Sequence, residues 1–127
     1  MASKKLVWCC KQRHGIRFVE PSKNIAAAFI EKAGRSLEEM KNAKYIESKL
    51  NFAYYTMYES VYAVLQHLGV KSEIHLCTFE FMKALLTEQF TAEECSFIEK
   101  AHTARNDATY YVNRKVSDPM ANEMMKQ

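Results

Sequence analysis

The most regular pattern of hydrophobic and polar positions lies between residues 46 and 69. Apolar residues recur there every three or four positions, which is the spacing of one face of an α-helix. Gly69 follows the pattern and favours a helix end, because glycine readily adopts the left-handed conformation that closes many helices. The segment predicts one long helix whose apolar stripe consists of Ile46, Leu50, Ala53, Met57, Val61, Val64 and Leu68.

A row of tyrosines runs along a different face of the same predicted helix. Tyr54, Tyr58 and Tyr62 are spaced by four residues, and Tyr55 broadens the row. A helix that is apolar on more than one face is buried on more than one side. We therefore expect a homodimer in which this tyrosine face lies at or near the interface, together with the polar face of the last long helix.

Three further long helices are predicted on either side of this one. The first spans residues 21–43 and has Ser22 as a favourable N-cap. Another spans residues 73–89 and repeats apolar residues at helical spacing. The last opens with Thr91-Ala92-Glu93-Glu94, a capping box in which the Thr hydroxyl and the final Glu carboxylate each satisfy a free backbone amide.

The two ends of the chain carry weaker signals. Residues 1–20 show no helical period and are predicted to form an irregular or extended N-terminal arm that docks on the rest. Asp118 and Pro119 can open a short fifth helix near the C-terminus. Four long helices with short connections indicate an all-α fold, an antiparallel up-down four-helix bundle over residues 21–127.

Composition agrees with a helical domain and excludes few functions. The chain of 127 residues has the length of one domain with one core, and its 3 glycines and 2 prolines are few for a β-rich domain. A net charge of +3 is too small to identify a nucleic-acid partner. No apolar run approaches the roughly 18 residues that span a bilayer. We expect a cytoplasmic protein without membrane contact.

The cysteines and histidines do not form a metal-binding pattern. Cys9 and Cys10 are adjacent and lack the spaced pairs of a zinc site, and Cys77 and Cys95 stand apart. The expected cytoplasmic setting also disfavours disulfides, so all 4 cysteines are predicted to be free thiols. The histidines lack short ligand spacings as well, and no metal or other cofactor is predicted.

Most of the candidate chemistry lies on the last long helix. His102 and Arg105 share one face of that helix, and Asn106 and Tyr110 share another. The plainer interpretation is a solvated face with local ion pairs, and periodicity alone favours it. The alternative is a ligand-binding or catalytic site on this helix.

Three segments of the sequence together resemble a HEPN domain, namely Asn51–Tyr58, Ile74-His75 and Ala104–Tyr111. In particular, they resemble the small stand-alone branch grouped as uncharacterised family UPF0332. The similarity spans roughly residues 16–116. It implies an antiparallel helical bundle that commonly pairs as a dimer, and many HEPN proteins are metal-independent ribonucleases. Their motif is an Arg, often followed by a polar residue, and then a His after four to six intervening residues.

The match to that motif is incomplete. Arg105 corresponds to the motif arginine and Asn106 to the polar residue, but Tyr110 stands where the histidine is expected. Metal-free RNA cleavage needs a base for the 2′-hydroxyl proton and a cation for the phosphate. A tyrosine of ordinary pKa, about 10, is almost wholly protonated at pH 7 and is a poor base. His102 and His75 are further candidates for that role.

Three functions are compatible with these residues. The first is a HEPN-like domain that binds RNA or a nucleotide, in a prokaryotic toxin–antitoxin or related system with a minimal nucleotidyltransferase as partner. The second is a metal-independent endoribonuclease, in which Arg105 holds the phosphate and Tyr110 or His102 transfers protons. The third is a dimerisation module without a ligand. The residues expected to bind a ligand are Arg105, Asn106, Tyr110 and His102.

Overall fold

The computed structural model describes residues 4–110, with side chains for residues 4–108. This range is mostly helical, as expected, and also contains a small two-stranded sheet. The predicted helix near Asp118 lies outside the described residues. The elements in chain order are α1 (Lys4–Lys11), β1 (Ile16–Phe18), α2 (Lys23–Asn42), α3 (Ile46–Leu68), β2 (Val70–Ser72), α4 (His75–Leu85) and α5 (Ala92–Tyr110).

The predicted helix ends are confirmed where local side-chain chemistry determines them. The Ser22 hydroxyl accepts a hydrogen bond from the backbone amide of Ile25 at 3.1 Å and caps α2. Gly69 closes α3 with a φ of 81°, which is in the left-handed region. The capping box of α5 forms in both directions, with Thr91 N donating to Glu94 Oε1 at 2.9 Å and Glu94 N donating to Thr91 Oγ1 at 3.1 Å.

The N-terminal segment packs on the rest of the chain as expected, but it forms a helix and a strand and is not an irregular arm. Residues Lys4–Lys11 form α1, and Ile16–Phe18 form β1, which pairs antiparallel with β2. Leu6, Cys9 and Ile16 belong to the same buried core as the long helices. Helix α1 has only eight residues and buries two of them. Two buried positions are too few to show a recognisable helical period in the sequence. Helix α4 spans His75–Leu85 and is shorter at both ends than the predicted range of residues 73–89.

The prediction of four free thiols is also wrong. Cys9 and Cys77 form a disulfide that joins α1 to α4, whereas Cys10 and Cys95 are free. The link closes a loop across a sequence separation of 68 residues. A loop of this length is expected to stabilise the folded state by about 4 kcal/mol, because it restricts the unfolded chain. Adjacent cysteines gave no hint of this pairing, since the partner is remote in sequence.

Helix α3 is the centre of the fold and packs against both α2 and α5, while α4 packs against α1 and α5. Leu50 and Val61 of the predicted stripe are buried, whereas Leu68 is exposed. Tyr54 and Tyr58 are buried too, within a single chain. Because these two rings are already buried within one chain, they do not require a dimer interface on this face. The antiparallel up-down arrangement stays a prediction, and no helix in residues 4–110 has the length and apolar character to cross a membrane.

Candidate functional site

The guanidinium of Arg105 is held against α3 by uncharged groups. Its Nε donates a hydrogen bond to Asn51 Oδ1 at 3.0 Å, and its Nη2 donates to the Tyr55 hydroxyl at 3.4 Å. Asn51 and Tyr55 are one helical turn apart on α3, so both reach the same side of α5. The guanidinium carbon also lies 5.3 Å from the centre of the Tyr55 ring, in a cation–π contact. These contacts fix the orientation of the cation.

Asn106 connects Arg105 to a histidine. Arg105 Nη1 donates to Asn106 Oδ1 at 3.2 Å, and Asn106 Nδ2 lies 3.4 Å from His102 Nε2. Because the amide nitrogen can only donate, His102 Nε2 is the acceptor and the ring proton resides on Nδ1. We refer to Arg105, Asn106, His102, Asn51 and Tyr55 as the Arg105 cluster. All five side chains are half-buried and none is sealed from solvent.

His75, at the start of α4, stands beside this cluster. Its ring lies 5.5 Å from that of His102, measured between centroids, and stacks on Tyr58 at 4.1 Å. The Tyr54 hydroxyl contacts His75 Nδ1 at 2.6 Å. Burial raises the pKa of Tyr54, which keeps its hydroxyl protonated, so we assign Tyr54 as the donor. The remaining proton of the neutral imidazole is then on Nε2.

Both imidazoles are neutral near pH 7. Burial, assisted by the positive charge of Arg105 and by His102, lowers the pKa of His75 from 6.5 to about 4. Burial and the Arg105 charge lower the pKa of His102 as well. At pH 7 the protonated fraction of His75 is about one in a thousand, from the three-unit gap between pH and pKa. His75 can therefore accept a proton at pH 7 but has almost no imidazolium proton to release as an acid, and the pKa of His102 is shifted in the same direction.

The positive charge of Arg105 has no counter-charge in the described part of the chain. Among residues 4–108, no carboxylate forms an ion pair with it. An oriented guanidinium with neutral partners retains its capacity to bind an anion, and its planar fork suits the oxygens of a phosphate. The plainer interpretation of a solvated face with local ion pairs does not describe Arg105.

The structure brings together three of the four predicted ligand-binding residues, namely Arg105, Asn106 and His102. Tyr110, the fourth of them and a predicted catalytic residue, is the last residue of α5, and its side chain lies outside the described part. Sequence reasoning did not assign Asn51 or Tyr55 to the site. Their spacing of four residues on α3 was the signal that could have identified them as neighbours.

Comparisons with known proteins do not assign this site. No protein-family model matches the chain, and no curated protein or solved structure is significantly similar to it. Within the described residues, no group of three or more histidine, cysteine, aspartate or glutamate side chains is placed to hold a metal ion.

Proposed function

We propose that the chain is a HEPN-like domain that binds RNA or a nucleotide, with one phosphate at Arg105. The observation that supports this most is the orientation of the guanidinium by Asn51, Asn106 and Tyr55, all of which are uncharged. A structural arginine is commonly paired with a carboxylate, which cancels its charge. Here the charge is oriented, and no carboxylate among residues 4–108 forms an ion pair with it.

Aromatic side chains beside the cation support a nucleic-acid ligand over a simple anion. Tyr55 is half-buried and lies next to the guanidinium. The ring of His75 contacts that of Tyr55, and His102 is connected to Arg105 through Asn106. Proteins that bind single-stranded nucleic acids combine a cation for the backbone with aromatic rings for the bases. The same two elements lie side by side here.

The protonation states favour binding over cleavage. Metal-free cleavage of RNA uses one group that accepts a proton and another that donates one to the leaving oxygen. His75 and His102, whose pKa values are both lowered, are suited only to the first task at neutral pH. A metal-independent endoribonuclease is the second candidate, and the close approach of the two imidazoles beside Arg105 is the observation that favours it.

The test measures RNA binding by two variants, each of which loses one arginine charge at a different position. We expect Arg105→Ala to weaken binding of a fluorescently labelled single-stranded RNA about ten-fold or more in an anisotropy titration. Arg35→Ala removes a charge from an exposed position on α2 and should change the affinity little. Equal affinities for both variants would exclude the phosphate site and favour a dimerisation module without a ligand.

Cleavage is tested in the same preparations. If the chain is a ribonuclease, it degrades the labelled RNA in the presence of a chelator, and both Arg105→Ala and His102→Ala abolish the activity. If His102 is the base, its lowered pKa predicts that the rate reaches its plateau at a lower pH than for a histidine of ordinary pKa. Intact RNA after long incubation, together with binding that depends on Arg105, supports the binding function.

The partners and the location belong to the same proposal. A homodimer predicts twice the chain mass in light scattering, and a minimal nucleotidyltransferase partner predicts co-purification of the two proteins. A cytoplasmic location is proposed as well. The Cys9–Cys77 disulfide is the observation against that location, because cytoplasmic thiols are usually kept reduced. Alkylation of the protein in intact cells would show whether the two cysteines are reduced.

A further inference from the structure

A recess lies beside the Arg105 cluster, between α2, α3 and the start of α4. It encloses about 280 Å³, close to the lower limit of roughly 300 Å³ for pockets that bind small molecules. Its size suits one flat ring system and excludes a folded oligonucleotide. We call it the aromatic recess because most of its walls are rings, those of Phe29, Tyr55, Tyr58, Tyr62 and His75.

The charged groups of the aromatic recess disfavour an anion. Glu59 and Glu73 contribute two carboxylates to its walls, and Lys32 contributes one ammonium group. Lys32 already pairs with Glu59, at 3.4 Å between Nζ and Oε2. Glu73 in turn pairs with Arg17 and Lys71, at 3.6 Å and 3.7 Å between the side-chain nitrogen and the carboxylate oxygen. A phosphate would have to compete with these carboxylates for their cations, whereas an uncharged ring leaves the ion pairs intact. The ligand group that fits is flat, aromatic and uncharged.

The aromatic recess and the Arg105 cluster share walls. Tyr55 lines the recess, and its hydroxyl accepts the hydrogen bond from Arg105 Nη2. His75 also lines the recess, and its ring lies 5.5 Å from that of His102 in the cluster. An anion site and an uncharged aromatic site are thus separated by two side chains. A nucleotide contains the two matching groups, an anionic phosphate and an uncharged aromatic base, joined by covalent bonds.

We propose, on the basis of the function proposed above, that the aromatic recess is the subsite for one nucleobase of the RNA or nucleotide whose phosphate binds Arg105. The half-buried rings of Phe29, Tyr55 and Tyr62 supply the contact surface for the base. Lys32 and Glu59 line the recess and neutralise each other's charge. Stacking on protein rings is tolerant of base identity, so the subsite accepts any of the common bases.

The test compares ligands with and without a base. In calorimetric titrations of the full chain, we expect AMP to bind about ten-fold or more tightly than ribose 5-phosphate, because only AMP has an aromatic base that can enter the recess. Phe29→Leu keeps an apolar side chain between α2 and α3 but removes one aromatic wall. This variant should weaken AMP binding several-fold and leave ribose 5-phosphate binding unchanged.

Two further variants separate the possible failures. Ile30→Ala alters the neighbouring residue on α2, which is exposed and does not line the recess, and should change neither affinity. Arg105→Ala should weaken both ligands. If wild-type chain binds AMP and ribose 5-phosphate equally but loses both with Arg105→Ala, the base subsite is wrong and the phosphate site stands. If neither ligand responds to Arg105→Ala, or neither binds at all, the proposed function itself fails.

Discussion

Two charged side chains lie at the contacts of helix α3: Glu59 belongs to α3 and faces α2, and Arg105 reaches α3 from α5. Glu59 is almost fully buried, and the Ser36 hydroxyl donates to its Oε1 at 2.5 Å while Lys32 pairs with its Oε2 at 3.4 Å. Arg105 is half-buried, and its hydrogen bonds go to two side-chain amides and a phenol. Within the described residues, the charge of Glu59 is compensated by Lys32, whereas the charge of Arg105 is oriented but not compensated.

This difference separates a charge that serves the fold from one that is available to a ligand. Burying a charge is costly unless an opposite charge and hydrogen bonds accompany it, and Glu59 has both. Arg105 avoids most of that cost by remaining half-exposed to water. Its neutral partners determine the direction of the guanidinium without cancelling its charge. The four predictions below test this contrast between Glu59 and Arg105.

The largest expected effect is a gain of RNA cleavage by Tyr110→His. If Arg105 is a phosphate clamp that lacks the motif histidine, this change supplies a group that titrates near neutral pH, with four residues between Arg and His as in the HEPN motif. A well-placed general acid or base contributes on the order of a hundred- to ten-thousand-fold in rate. Gel analysis of labelled RNA measures the gain, which Arg105→Ala should remove. Thr109→His is the control, and an equal rate from it would contradict the prediction.

A smaller effect is expected on stability from Glu59→Gln. This change keeps the size of the side chain but removes the ion pair with Lys32 and weakens the hydrogen bond from Ser36. We expect a loss of about 2 kcal/mol in the free energy of unfolding, measured by urea denaturation, with RNA binding unchanged. Glu38→Gln, at an exposed position on α2, should cost less than about 0.5 kcal/mol. Similar losses in both variants would refute the structural role of Glu59.

Acid should destabilise the chain through His75, which stands beside Arg105. Its pKa in the folded state is lowered to about 4, below the unfolded value of 6.5, so the unfolded state binds more protons between these limits. This contribution is complete above pH 6.5 and is lost as pH falls towards 4. The full shift corresponds to about 3 kcal/mol, which solvent screening at this half-buried ring reduces to about 1–2 kcal/mol. From pH 6.5 to pH 4, the free energy of unfolding of wild type should therefore fall by about 1–2 kcal/mol more than that of His75→Gln, and an equal fall in both would contradict the prediction.

The smallest expected effect is on stability from Arg105→Met. The partners left behind, Asn51, Asn106 and Tyr55, are half-buried and can bond to water instead. We expect the free energy of unfolding to stay within about 0.5 kcal/mol of wild type, while RNA binding is lost. A loss above about 2 kcal/mol in the same denaturation assay would assign Arg105 to the fold and remove its contrast with Glu59.

The helical frame could be predicted because its signals are local. The Ser22 cap, the Thr91 capping box and the Gly69 helix end each depend on residues within one turn of each other. The apolar spacing of α3 depends on one helix alone. The ordered N-terminal segment could not be predicted in the same way, because α1 is short and β1 is defined by its pairing with residues 70–72.

Sequence alone therefore determined that the chain is mostly helical, approximately where α2 and α3 begin and end, where α5 begins, and that Arg105, Asn106 and His102 are candidate site residues. Tertiary structure alone decided that Asn51 and Tyr55 hold Arg105, that His75 joins them and that Cys9 meets Cys77. These contacts join residues more than twenty positions apart in the chain. Local propensities carry no information about such pairs, because only the packing of whole helices brings them together.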